Sequence, residues 1–148
     1  MTTSFLSQWR EARTRYSALL QNLNNEDTTK RIGHVPNSAG FLIRHIAEVE
    51  LLFAKNVFGV DDLHFTARTV IDQKDTREWT NPEDLLSFEK YAFVQLELAI
   101  LQQTDEDWEQ LITTPQFGTR SKAEALGRII SHTAYHAGQL ALVLKYGH

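Results

Sequence analysis

SKAEALGRIISHTAYHAGQLALVL, running from Ser121 to Leu144, repeats its apolar residues at the spacing of an α-helix. Leu126, Ile129 with Ile130, Thr133, His136, Leu140, and Val143 with Leu144 recur every three or four residues, or their sum, and so share one face. Ser121 followed by Glu124 is a capping box, which satisfies backbone N–H groups that the first turn leaves free. Gly147 supplies the stop. Two imidazoles interrupt this apolar stripe. His132 and His136 are four residues apart, one turn, in line with Ile129, Leu140 and Val143.

Three more helical patterns precede this one. The first spans about Ser4 to Asn24, with Leu6, Trp9, Tyr16, Leu20 and Leu23 inward, and Asn22 to Lys30 follows as a polar loop. The second opens at Asn37 or Ser38 and stops before Gly59; its stripe is Phe41/Leu42, His45, Val49 and Leu52/Phe53. The third starts at Asn81-Pro82-Glu83-Asp84, a cap, a proline suited to the first helical position, and two acids that oppose the helix dipole. Its inward residues are Leu85/Leu86, Phe93, Leu96 and Ile100. Val60–Thr80 has no clean period and is long for a bundle connection, so it is a candidate rim or lid over a site. Thr104–Thr119 is a second connection, containing Trp108, Pro115 and Gly118. Four amphipathic helices without a convincing strand predict an all-α fold, a four-helix bundle, in a single domain of residues 1–148. Turn signals around Thr114–Thr119 leave room for a small hairpin, which this reading does not adopt.

Composition narrows the function. With 148 residues, 42% of them apolar, the chain suits one domain with a proper core. A net charge of −4, with Lys and Arg scattered, argues against a nucleic-acid module. Cysteine is absent, which excludes disulfides, a cysteine nucleophile and thiolate metal ligands. Any metal must be held by nitrogen and oxygen. The segment Met1–Arg10 lacks the apolar core of a signal peptide, and no apolar run is long enough for a transmembrane helix. The default expectation is a cytoplasmic protein with no membrane partner.

Three interior histidines need partners, because burying an unpaired polar ring costs about 1–3 kcal/mol. Spacing alone leaves two readings open: His45, His132 and His136 ligate a metal, or each finds an ordinary hydrogen-bond acceptor. The glutamate of a His-Glu-x-x-His protease motif is missing, since Thr133, Ala134 and Tyr135 fill the interval. Gln139, three residues after His136, is a candidate to hold a ligand's other ring nitrogen. Glu48, three after His45, is a candidate to orient that ring or act as a base; on spacing alone it reads as a charge at the edge of the face. His34, His64 and His148 read as solvated, with His64 kept as a fourth ligand or substrate contact. Tyr135, Trp9, Trp79 and Trp108 read as packing residues.

These residues resemble a family. Gly40-Phe-Leu-Ile-Arg-His45-Ile-Ala-Glu-Val-Glu50, ending at Phe58-Gly59, is similar to the second helix of the DinB-like (damage-inducible, YfiT-like) bundle proteins. Ser131-His-Thr-Ala-Tyr-His136-Ala-Gly-Gln-Leu140 resembles their fourth helix, with its paired histidines and following Gly-Gln. Trp79 with Asn81-Pro82-Glu83, and Pro115-Gln-Phe-Gly118, fit as well, so the resemblance covers nearly the whole chain. Ala137 departs from the basic or bulky residue common after the second histidine and leaves the ligand set intact.

The resemblance implies an antiparallel four-helix bundle, homodimeric, with one divalent metal ion per chain on His45, His132 and His136. Zinc or nickel is expected first, with manganese or iron as alternatives. It further implies a metal-dependent enzyme acting on a small molecule, either a transferase or isomerase that uses a low-molecular-weight thiol, or a hydrolase that uses water. The competing expectation is a non-catalytic, stress-associated bundle whose metal is structural or absent. A fourth protein ligand would favour that reading, and an open position beside a pocket would favour the enzyme.

Overall fold

In the computed structural model, which describes residues 1–148, the chain is predominantly helical. It runs through α1 (Thr2–Ala12), α2 (Thr14–Leu19), α3 (Asn25–Thr28), α4 (Ala39–Asn56), α5 (Arg68–Asp72), α6 (Pro82–Leu101), β1 (Leu111–Thr114), β2 (Gly118–Ser121) and α7 (Lys122–Tyr146). The three long helices start where capping chemistry places them. Ser38 Oγ, not Asn37, accepts from Phe41 N at 3.2 Å. Asn81 Oδ1 accepts from Glu83 N and Asp84 N at 2.9 and 3.2 Å. Ser121 Oγ accepts from Glu124 N at 3.1 Å, and the Glu124 carboxylate accepts from Ser121 N at 2.8 Å.

The expected first helix is interrupted. It loosens at Arg13, whose N–H is shared between the Trp9 and Arg10 carbonyls, and it ends at Leu19 rather than near Asn24. Asn22 takes a left-handed φ of 63°, which no helix continues through. The polar loop that follows contains the single turn α3, with Asn24 and Asp27 forming their own capping box.

Arg13 turns inward at that junction. Its guanidinium grips Glu50 of α4 through two bonds of 2.8 and 2.9 Å and reaches Glu89 of α6 at 2.9 Å. All three residues are buried. The three helical segments are thereby tied through one ion cluster, with Trp9, Tyr16 and Phe93 rings around the guanidinium. Around it lie two apolar clusters. One gathers Trp9, Leu51, Leu96, Trp108, Leu126 and Ile129, and the other Tyr16, Leu42, Ile43, Ile46, Leu140 and Val143.

The strandless expectation is corrected by a short antiparallel hairpin. β1 pairs with β2 in the register Leu111↔Ser121 through Thr114↔Gly118. Each strand has only four residues, too few to show a period in the sequence. Gly118, at φ 71°, makes the turn possible, and the hairpin leads straight into α7. Val60–Thr80 likewise holds one short helix, α5, laid against α4. Gly40 permits the end of this connection to approach: a Cβ there would lie 1.8 Å from the Trp79 carbonyl oxygen.

Candidate metal centre

His45 lies in the second turn of α4, and His132 and His136 face it from α7, which packs against α4. The packing brings the three rings together. Their centroids are 4.5–5.1 Å apart, and one nitrogen from each lies within 4.8 Å of the other two. His45 Nε2 and His132 Nε2 are 3.2 Å apart.

The surrounding hydrogen bonds assign the tautomers. Thr69 Oγ1 donates its one proton to Glu48 Oε1 at 2.7 Å. It can then only accept from His45 Nδ1, 3.0 Å away, so the proton of His45 sits on Nδ1 and the lone pair on Nε2 faces the cluster. Gln139 Oε1 accepts from His136 Nδ1 at 2.7 Å, which turns the lone pair of that ring's Nε2 outward from Gln139. Glu48 is itself anchored by Thr69 N at 2.8 Å and by Arg44 Nε at 2.6 Å. It is fully buried, so the reading of Glu48 as a charge at the helix edge is wrong. Glu48 is covered by α5, whose Thr69 bonds to it, a contact that position along α4 does not reveal.

Burial, and then the charge His136 would carry, hold His45 down to about 4. Burial holds His132 down to about 3, helped by His136, His45 and Arg128. Burial also lowers His136, with the Gln139 bond opposing. All three rings are therefore neutral at pH 7, the form that ligates metals.

This donor set fits a divalent cation. Lone pairs facing at 3.2 Å repel unless a proton or cation lies between them. Nitrogens on one tetrahedral zinc sit about 3.3 Å apart, close to the His45–His132 separation. Nδ1 of His132 is buried without a partner. If its proton sat on Nε2 and bonded to His45, Nδ1 would bury a bare lone pair. A cation held by both Nε2 atoms removes the repulsion of the facing lone pairs, whereas Nδ1 of His132 is unpartnered in either tautomer. No other histidine or acid joins the cluster. His34, His64 and His148 are exposed and stand apart from it.

A cleft of about 870 Å³ opens beside His45 and His132. Val49 and Phe53 of α4 form one wall, Phe65 and Val70 of the 60–80 connection another, and Phe117 of the hairpin turn a third. Phe53 and Phe117 pack with centroids 5.9 Å apart. Tyr135 stands exposed at the rim, whereas Trp9 and Trp108 lie in the core, and Trp79 packs on Arg44.

The sequence model of the DinB superfamily matches residues 8–140. The chain belongs to the DinB superfamily. Among solved structures, this DinB-superfamily chain is similar to the mycothiol-dependent maleylpyruvate isomerase, with a TM-score of 0.74 and 18% identity over 95% of this chain and 60% of that one. It is also similar to YjoA, a DinB-like protein of Bacillus subtilis, with a TM-score of 0.71 and 17% identity over 96% and 90% of the two chains. At such identities the likeness is one of fold, and the chain spans about 60% of the isomerase's length. No curated protein matches its sequence.

Two residues near the DinB-superfamily centre escape sequence reasoning. Thr69 holds His45 from a connection without periodicity, where nothing in the sequence singles it out. Arg44, adjacent to His45, holds Glu48 while its guanidinium lies 3.5 Å from the Phe88 ring centroid. The i,i+4 spacing of Arg44 and Glu48 is the one clue the sequence offers.

Proposed function

We propose that this chain is a one-domain, antiparallel four-helix bundle that binds one divalent metal ion, zinc or nickel, on His45, His132 and His136, and that it is an enzyme acting on a small molecule. One observation carries the reading: three neutral imidazoles, with no fourth protein ligand, stand beside an 870 Å³ cleft. Structural zinc sites close with four protein ligands, while catalytic ones keep three and an open position. An ion bound there would lower the pKa of a water or thiol it contacts and so supply a nucleophile near neutral pH. Thr69 and Gln139 fix the two rings whose Nδ1 they hold, and mainly apolar side chains wall the cleft beside the histidines. The structural likeness to a mycothiol-dependent isomerase supports a low-molecular-weight thiol as co-substrate, with metal-assisted hydrolysis using the same centre. A homodimer contact would cover Leu142 and Tyr146, exposed on α7.

Elemental analysis of protein made without an affinity tag tests the centre. About one zinc or nickel per chain is expected, falling to background in His132→Ala. A site that stays empty after exposure to both ions overturns the proposal. Turnover of thiol–electrophile pairs, lost in the same variant, tests the enzyme reading.

A further inference from the structure

We infer that the cleft beside the histidines takes an organic anion with an apolar body, and that Arg128 receives its anionic group. The inference rests on reading that cleft as a substrate site and names the class of substrate. Its first ground is charge. The chain carries 19 acids and 15 Lys and Arg, yet none of the 19 residues lining the cleft is Asp or Glu. Two cations do line it, Lys55 and Arg128, and neither takes part in the protein's ion pairs. In an acidic protein, a wall with only positive charge, left unneutralised, attracts an anion.

Position distinguishes the two. Arg128 precedes His132 by four residues on α7, about 6 Å along the axis. Its guanidinium lies 5.5 Å from the Phe117 ring centroid, at the hairpin wall. A planar fork of donors there suits a carboxylate, which it can bind through two parallel bonds. Lys55 lies ten residues beyond His45 on α4, about 15 Å away along the helix, too far to act on the same small molecule's reacting end. Val49, Phe53, Phe65, Val70 and Phe117 supply the apolar surface for the ligand's body. Ile71 and Tyr135, 68% and 65% exposed, line the same cleft and would be covered by it. An acid seated on Arg128 thus places the part of its body about one helical turn from the anion against His45 and His132.

Calorimetry on metal-stripped protein tests this with three probes of equal length, octanoate, octanamide and octylamine. Octanoate is expected to bind about tenfold or more tightly than the other two, because only it pairs an anion with the Arg128 cation through two parallel bonds. Arg128→Gln should bring octanoate to the affinity of octanamide, while octanamide binding, which also reports an intact cleft, stays within about twofold. Lys55→Gln should change octanoate binding by less than about threefold. Equal affinity for the three probes overturns the inference, and so does a preference that survives Arg128→Gln. A preference that appears only after zinc is restored also overturns it, since the carboxylate would then be held by the ion. The metal reading fails separately. A protein that never takes up metal but shows the Arg128-dependent preference sinks that reading alone. One zinc per chain without the preference sinks only this inference.

Discussion

Thr69 Oγ1 lies 3.0 Å from His45 Nδ1 and joins that ring to a carboxylate, Glu48, that is completely buried. A ligating histidine whose other nitrogen is held by a carboxylate, here through a hydroxyl, is fixed in tautomer and in direction. The Thr69 hydroxyl is therefore expected to matter to metal affinity although it touches no metal. Thr69→Val keeps the shape and the backbone bond to Glu48 but removes both side-chain bonds. We expect zinc affinity to fall about 10–100-fold, read by competition with a chromophoric chelator. Unchanged affinity would show that α5 serves packing alone.

The buried imidazoles set a pH dependence in metal-free protein. Folding holds His45 at about 4 and His132 at about 3, against about 6.5 in the unfolded chain. Below pH 6.5 the unfolded state binds more protons, so stability falls with pH. The loss begins at the unfolded value and is complete only when the folded rings protonate, near 4 and 3. Above 6.5 these groups contribute no slope. We expect the urea midpoint of stripped protein to drop between pH 6.5 and 4, and the double variant His45→Gln/His132→Gln to lose most of that drop. Parallel profiles for the two proteins would count against neutral buried rings.

Arg13 holds two buried carboxylates, and removing it leaves both without their counter-charge. Burial already pushes Glu50 up, with the Arg13 charge opposing. Arg13→Met is expected to cost about 3–5 kcal/mol in urea unfolding. Replacing Arg13, Glu50 and Glu89 together by apolar residues should recover much of it, because the penalty lies in the stranded charge. A cost under about 1 kcal/mol for Arg13→Met would assign the cluster little role in holding α1, α4 and α6 together.

At Gly40 the Trp79 carbonyl occupies the space of a side chain. Gly40→Ala is expected to destabilise the fold by about 1–3 kcal/mol, despite alanine's better helix propensity. Hydrogen exchange should rise in the 60–80 connection, which must move away, more than in α6. A neutral or stabilising Gly40→Ala would mean that this connection is not seated on α4.

Much of the architecture was legible because its determinants are local. Ser121 and Glu124 cap α7, Asn81 and Pro82 start α6, and the apolar spacing marks the buried face of α7. On α4 it does not, since His45, Val49, Leu52 and Phe53 are half-buried and line the cleft while Ile43, Ile46, Ala47, Leu51 and Ala54 fill the core. The hairpin was legible only in its turn signals, since four-residue strands carry no period and Thr113–Thr119 pairing needs both partners in view. The break at Arg13 was hidden for a different reason. Arginine is a good helix former, and only the acids across the core draw it inward.

By itself the sequence determined that the chain builds long amphipathic helices, that His132 and His136 share a face, and that no thiol is available to any site. Those facts are set within one or two turns of chain. The tertiary structure decided that His45 meets that pair and that Thr69, 24 residues further on, orients it. It also decided that Arg13 reaches Glu89 across 76 residues, and that an acid-free cleft opens beside the rings. Such contacts depend on how the helices pack, and their residues become neighbours only once the apolar faces have been buried together.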